Sequence, residues 1–162
     1  MEIIPYEFID TIQKQIDEMN LEDSQSEMKN VYLEKPNISE YIVAMNEDLD
    51  DELNKYSLYL FSVIYIAIKN FYQKKLQIVT DEIIIKCHEN NIDLLKKLEN
   101  SHEAFINRIA ETNLKRQPGI YRFISQSIFE ELQEMSEITE DEEGWIFLIL
   151  KSAIDALDEN IK

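Results

Sequence analysis

The sequence predicts an all-α protein: one compact bundle of six to eight helices, residues 1–162 forming a single domain around two buried central helices. Three observations carry that expectation. Only two glycines and three prolines occur in 162 residues, which leaves little material for the tight turns of a sheet-rich sandwich or barrel. Apolar residues recur at steps of three and four along most of the chain. Two segments, 53–76 and 139–160, are apolar on most sides and therefore need burial on most sides. With 44% hydrophobic residues, a chain of this length can bury a sizeable core.

The elements follow in order. Pro5 suits a first helical turn, and Phe8, Ile9, Ile12, Ile16 and Met19 then share one face. The polar stretch "NLEDSQSEMKNVYLEKPN" reads as a loop with a short helix from Met28 to Leu33. Asn37 is placed to cap a helix carrying Ile38, Tyr41, Ile42, Met45 and Leu49, with Glu40 in the reciprocal position. Asp50 or Asp51 caps the first central helix, which is apolar on most sides over Leu58–Ile68. "LQIVTDEIIIKCH" is rich in β-branched residues and is compatible with a short strand. No partner strand is visible, and a lone strand is unstable, so a helix from Thr80 is expected. Leu95, Leu98, His102, Phe105 and Ile109 mark the next face. Gln117-Pro118 opens another, with Tyr121, Ile124, Ile128, Leu132 and Met135 inward. The last helix has Thr139 as N-cap and Glu142 three places on, a capping box, with Asp141, Glu142 and Glu143 in the first turn favoured by the helix dipole. Trp145, Leu148, Ile149, Ala153, Ala156 and Leu157 form its main stripe.

Composition narrows the setting. The lone cysteine, Cys87, forms no intramolecular disulfide, and the amino terminus lacks the charged and apolar regions of a secretory leader. The longest uncharged run, Tyr56–Ile68, has 13 residues against about 20 for a bilayer span, so no membrane partner is expected. A cytoplasmic, reducing compartment is the expectation. The net charge is −17, unevenly spread: residues 69–122 hold ten basic and seven acidic side chains, a net of +3, and the rest holds −20. Such a surface repels phosphate backbones and argues against nucleic-acid binding.

Four stretches invite chemistry. Glu99 and His102 are spaced like half of a carboxylate-bridged di-iron motif, which needs a second copy. His88 has Ile85 three places earlier, so that copy is missing, and His102 also sits on an apolar stripe. Cys87 and His88 are adjacent, about 100° apart on a helix, and make no nucleophile–base pair with each other. "NEDLDDE", Asn46 to Glu52, lacks the glycine and alternation of a calcium loop and reads as a helix junction. "LKRQPGIYRF" gathers Lys115, Arg116 and Arg122 around a helix start, where cations oppose the dipole and an anion would relieve them. Gly119 would admit a ligand there. The competing account is that an acidic stretch of the same chain, such as Glu137–Glu143, supplies the negative charge. The tyrosines at 56, 59 and 65 read as core, since aromatics at helical spacing usually are. Phosphate loops, hydrolase elbows and zinc-protease motifs are absent from the sequence.

No catalytic residue, metal or cofactor is therefore assigned, and the reading leans away from an enzyme. The favoured function is an interaction module whose acidic faces bind a basic protein partner. The alternatives are an anion- or nucleotide-binding domain using Lys115, Arg116 and Arg122, and a metal-dependent helical enzyme using Glu99 and His102. Two helices apolar on nearly all sides also leave room for a homodimer seam.

Overall fold

Helices in this chain begin where a side chain caps a free first-turn N–H or where a proline, which has no N–H to satisfy, stands at the start. The computed structural model describes residues 2–73, 76–97, 116–135 and 137–159. Among them the fold is all-α and compact, without strands. Helix α1 (Tyr6–Asp17) follows Pro5, whose carbonyl accepts the Phe8 N–H at 3.1 Å, and it buries Ile9, Ile12 and Ile16. Helix α2 (Leu21–Glu34) replaces the expected loop and short 28–33 helix. Asn20 Oδ1 accepts the Asp23 N–H at 2.8 Å, and fourteen residues wind without a break. Only Val31 of α2 is buried. A helix that packs along so thin a stripe leaves almost no periodicity to read.

Helix α3 (Pro36–Met45) starts on proline at its first position and not on an Asn37 cap. The Asn37 amide instead donates to Val79 O at 3.4 Å, tying α3 to the segment before the next helix. Helix α4 (Asp51–Tyr72) is capped by Asp50, whose Oδ1 accepts the Glu52 N–H at 3.1 Å, and buries ten of its 22 residues. It ends sooner than residue 76, at Gln73 in the left-handed region with φ 50°. Residues 76–80 are neither helix nor strand. Helix α5 (Asp81–Lys97) then begins after Thr80, whose side-chain oxygen accepts the Ile83 N–H at 3.4 Å.

Helix α6 (Pro118–Gln126) runs on through a π-helical segment, Ser127–Glu131, into a last turn, Leu132–Met135. Helix α7 (Glu140–Asp158) opens with the capping box in full: Glu142 N–H to Thr139 Oγ1 and Thr139 N–H to Glu142 Oε1, both 3.2 Å. Twelve of its nineteen residues are buried. Helix α5 lies along α7, α1 packs on α4 and α6, and α3 bridges α4, α5 and α7. Phe61, Phe123 and Phe147 fill the centre. Helices α4 and α7 are thus the two central ones. Trp145 is the exception on the α7 stripe, half-buried with its indole N–H donating to Met45 O at 2.9 Å.

Gly119 fits where α6 meets the amino-terminal segment. A Cβ there would collide with Ile4 O and stand 2.8 Å from Tyr6 N, both backbone atoms that cannot rotate away. Gln117 Oε1 holds the same segment by accepting the Ile4 N–H at 3.1 Å. Gly119→Ala is therefore expected to cost about 1–3 kcal/mol of stability, as overpacking of a close-packed contact does; urea unfolding checks it.

Candidate functional site

Of the basic residues singled out in the sequence, the two arginines take different partners. Arg116 reaches Asp158 at the end of α7, Nη1 to Oδ2 3.6 Å. Arg122 lays its guanidinium over the Tyr6 ring, 4.3 Å from the centroid. Lys115 lies outside the described residues, as do Glu99 and His102. The close approach that Gly119 permits is made by the chain's own residues 4–6. The intrachain charge that meets Arg116 is Asp158 at the end of α7, and not the Glu137–Glu143 stretch at its start.

The other sequence candidates are absorbed locally. The Cys87 thiol is buried and pushed up to about 11, chiefly by burial and then by Asp155, so it carries no thiolate at neutral pH. His88 Nδ1 is hydrogen-bonded to Tyr41 OH at 2.8 Å, and burial lowers its pKa. Asp50 of "NEDLDDE" serves as a cap. Among the described residues no three His, Cys, Asp or Glu side chains are grouped to hold a metal ion.

A polar cluster that the sequence did not flag occupies the α5–α6–α7 contact. Lys151, 6% exposed in its side chain, donates to Asp155 Oδ2 at 2.6 Å and to Asn91 Oδ1 at 2.8 Å. Asn91 Nδ2 donates to Asp155 Oδ2 at 3.1 Å and to Ser152 Oγ at 3.0 Å. Tyr121 OH donates to Asp155 Oδ1 at 2.8 Å, and burial, then Asp155, raises its pKa well above 10. The hollow beside Tyr121 holds about 10 Å³, barely the space of one water. Closed and internally satisfied, the cluster is structural.

A more open arrangement forms where α1, the first turns of α4 and the π-helical segment meet. Tyr56 and Tyr59 stack at 5.8 Å, 30° between planes; both are partly buried and pack against the core, as expected for them, and Tyr65 is fully buried. Their hydroxyls are engaged, Tyr59 OH donating to Asp17 Oδ1 at 2.6 Å and Tyr56 OH to Ser127 O at 3.5 Å. Ser127 O also accepts the Leu132 N–H, the wider bond of a π-helical turn. A side-chain hydroxyl entering the helical ladder is one of the recognised causes of such a distortion. Asp17 and Glu131 stand near the tyrosines, and Glu131 in turn has Glu130, Asp10, Asp17 and Glu134 as acidic neighbours. Two cations stand beside them, Lys14, 2.8 Å from Asp10, and Arg122 over Tyr6. The Glu131 carboxyl is raised above the usual range by partial burial, then by Glu130, Asp10, Asp17 and Glu134.

Comparison with known proteins finds no matching family model, no matching curated protein and no matching solved structure.

An acid with a raised folded-state pKa binds its proton more tightly when folded, so stability falls as pH rises from about 4.5 through that value. Glu131→Gln removes this penalty. The variant is expected to melt about 1–2 °C higher at pH 7, with a shallower decline above pH 4.5, as scanning calorimetry would record.

Proposed function

We propose that this chain is a cytoplasmic, non-enzymatic interaction module whose α1–α4–π face binds a basic, arginine-bearing segment of a partner protein. The observation that carries the reading is the Glu131 cluster, a carboxylate with four acidic neighbours, close to two stacked tyrosines. Like charges held together cost stability that a cationic partner returns on binding. The tyrosine hydroxyls are already used within the chain, so ring surface and carboxylates remain for a ligand. A guanidinium suits both, stacking on a ring and bridging a carboxylate, whereas an ammonium is a point charge. Arg122 over Tyr6 is an arrangement of the same kind, made within the chain at the edge of the same face. The net charge of −17 disfavours a nucleic-acid partner and speeds encounter with a basic protein.

The probe is a short arginine–glycine peptide, followed by amide and tyrosine-ring NMR shifts. Shifts should centre on Tyr56, Tyr59 and Glu131, weaken steeply between roughly 0.05 and 0.5 M salt, and be smaller for the lysine–glycine counterpart. Replacing Asp17, Glu130, Glu131 and Glu134 by their amides should weaken binding about tenfold or more, since exposed pairs contribute about 0.2–1 kcal/mol each. Shifts spread evenly over every acidic helix, or binding indifferent to salt, would contradict the reading.

A further inference from the structure

On a different side of the molecule, where the α2–α3 corner meets the end of α4, Lys35 is 6% exposed and lines two adjoining hollows. Its ammonium donates to Leu76 O at 3.4 Å and Gln77 O at 2.9 Å and stands 5.9 Å from the Tyr65 ring centroid. All three contacts carry partial charges only. Among the described residues no carboxylate pairs with it: neighbouring Glu34 gives its oxygens to Tyr65 OH at 2.7 Å and to Lys69 at 2.7 Å. Buried charges are normally paired, because removing an ion from water costs several kcal/mol. Burial accordingly pulls the Lys35 pKa down, with only the more distant Glu34 opposing.

Two hollows lie against Lys35. The larger encloses about 890 Å³, within the range of small-molecule sites, and the smaller adds about 250 Å³ beyond Ile78. Ile78 forms part of both walls and is 83% exposed, an apolar side chain without cover. Leu76 and the Tyr65 ring continue the apolar wall on one side, Ile38 and Val79 on the other.

Charge selects the ligand class. Among the described residues, Lys35 and Lys69 against Glu34 leave a local surplus of one positive charge. A monoanion neutralises that surplus. A polyphosphate would overfill it and meet the repulsive field of a −17 chain. We propose that this groove is a binding site for a small amphipathic monocarboxylate, its carboxylate beside Lys35 and Lys69 and its aliphatic tail laid across Ile78 towards Val79. Burying that tail recovers about 0.8 kcal/mol per methylene by the usual transfer scale, so an aliphatic chain contributes as much as the head group.

The test uses the full chain with methyl-labelled isoleucine and valine, titrated with octanoate, n-octanol and octylammonium. Octanoate is expected to shift Ile78, Ile38 and Val79 methyls saturably, with n-octanol much weaker and octylammonium silent. Lys35→Met, which keeps the aliphatic stem, should weaken octanoate about thirtyfold or more, the lower end for removing one partner of a buried charge pair. Ile78→Ser, at an exposed position, should weaken it too and keeps the question decidable should Lys35→Met fold poorly. Absence of saturable shifts, equal affinity for octanol, or shifts confined to other methyls would overturn the assignment.

Discussion

An ammonium group buried between three helices constrains this fold more than any single apolar contact. Lys151 sits in the middle of the most buried helix, among Leu150, Ser152, Ala153 and Ile154, all buried. Apolar packing can slide by a turn at modest cost, but a buried ion cannot be left without its partners. Asp155 supplies the counter-charge from the next turn of α7, Asn91 supplies an acceptor from α5, and Tyr121 from α6 completes the carboxylate. Each partner comes from a different helix or turn, so one register of α5, α6 and α7 satisfies all of them together. The arrangement trades some stability against an all-apolar core for a single alignment of helices, a use of buried polar groups that fits a chain with few turns to fix its topology.

Once the interior is committed, the remaining acids must stand outside, and their distribution follows. First-turn acids at α2, α4, α5 and α7 lie where helix dipoles favour them. The cluster around Glu131 has no such dividend. The π-helical segment, with Tyr56 OH bonded to its first carbonyl, brings Glu131 near Asp10 and Asp17 of α1. A π-helical turn and a concentration of acidic side chains thus coincide at one face, which is why that face and not the general acidity supports a binding role. The Lys35 groove is the converse case, a cation short of counter-charge inside an acidic molecule.

Much of the fold was legible because helix starts are written in local chemistry. Thr139 with Glu142, Asp50, Thr80 and Pro118 each announced a helix that the structure contains. Where the apolar stripe thinned to one residue, as in α2, the pattern fell silent although Asn20 was a serviceable cap. The candidate sites were less legible. Lys151 and Asp155 do stand four apart in the sequence, a spacing that places them together on a helix, and an ammonium inside "FLILKSAIDAL" was a signal available to be read. Nothing local told that Asn91 and Tyr121 would join them, since those contacts span 60 and 34 residues. The partners of Tyr56 and Tyr59 were hidden for the same reason: helical spacing marked them as core-facing, but the bonds to Ser127 and Asp17 span 71 and 42 residues.

A double-mutant cycle on Lys151→Met and Asp155→Asn, followed by urea unfolding at neutral pH, probes the central constraint most directly. Asparagine keeps a partner for Tyr121 and removes only the charge. The account predicts that the two substitutions couple by about 1–3 kcal/mol, the double variant being more stable than the sum of the single losses allows. Losses that add to within about 0.5 kcal/mol would contradict it.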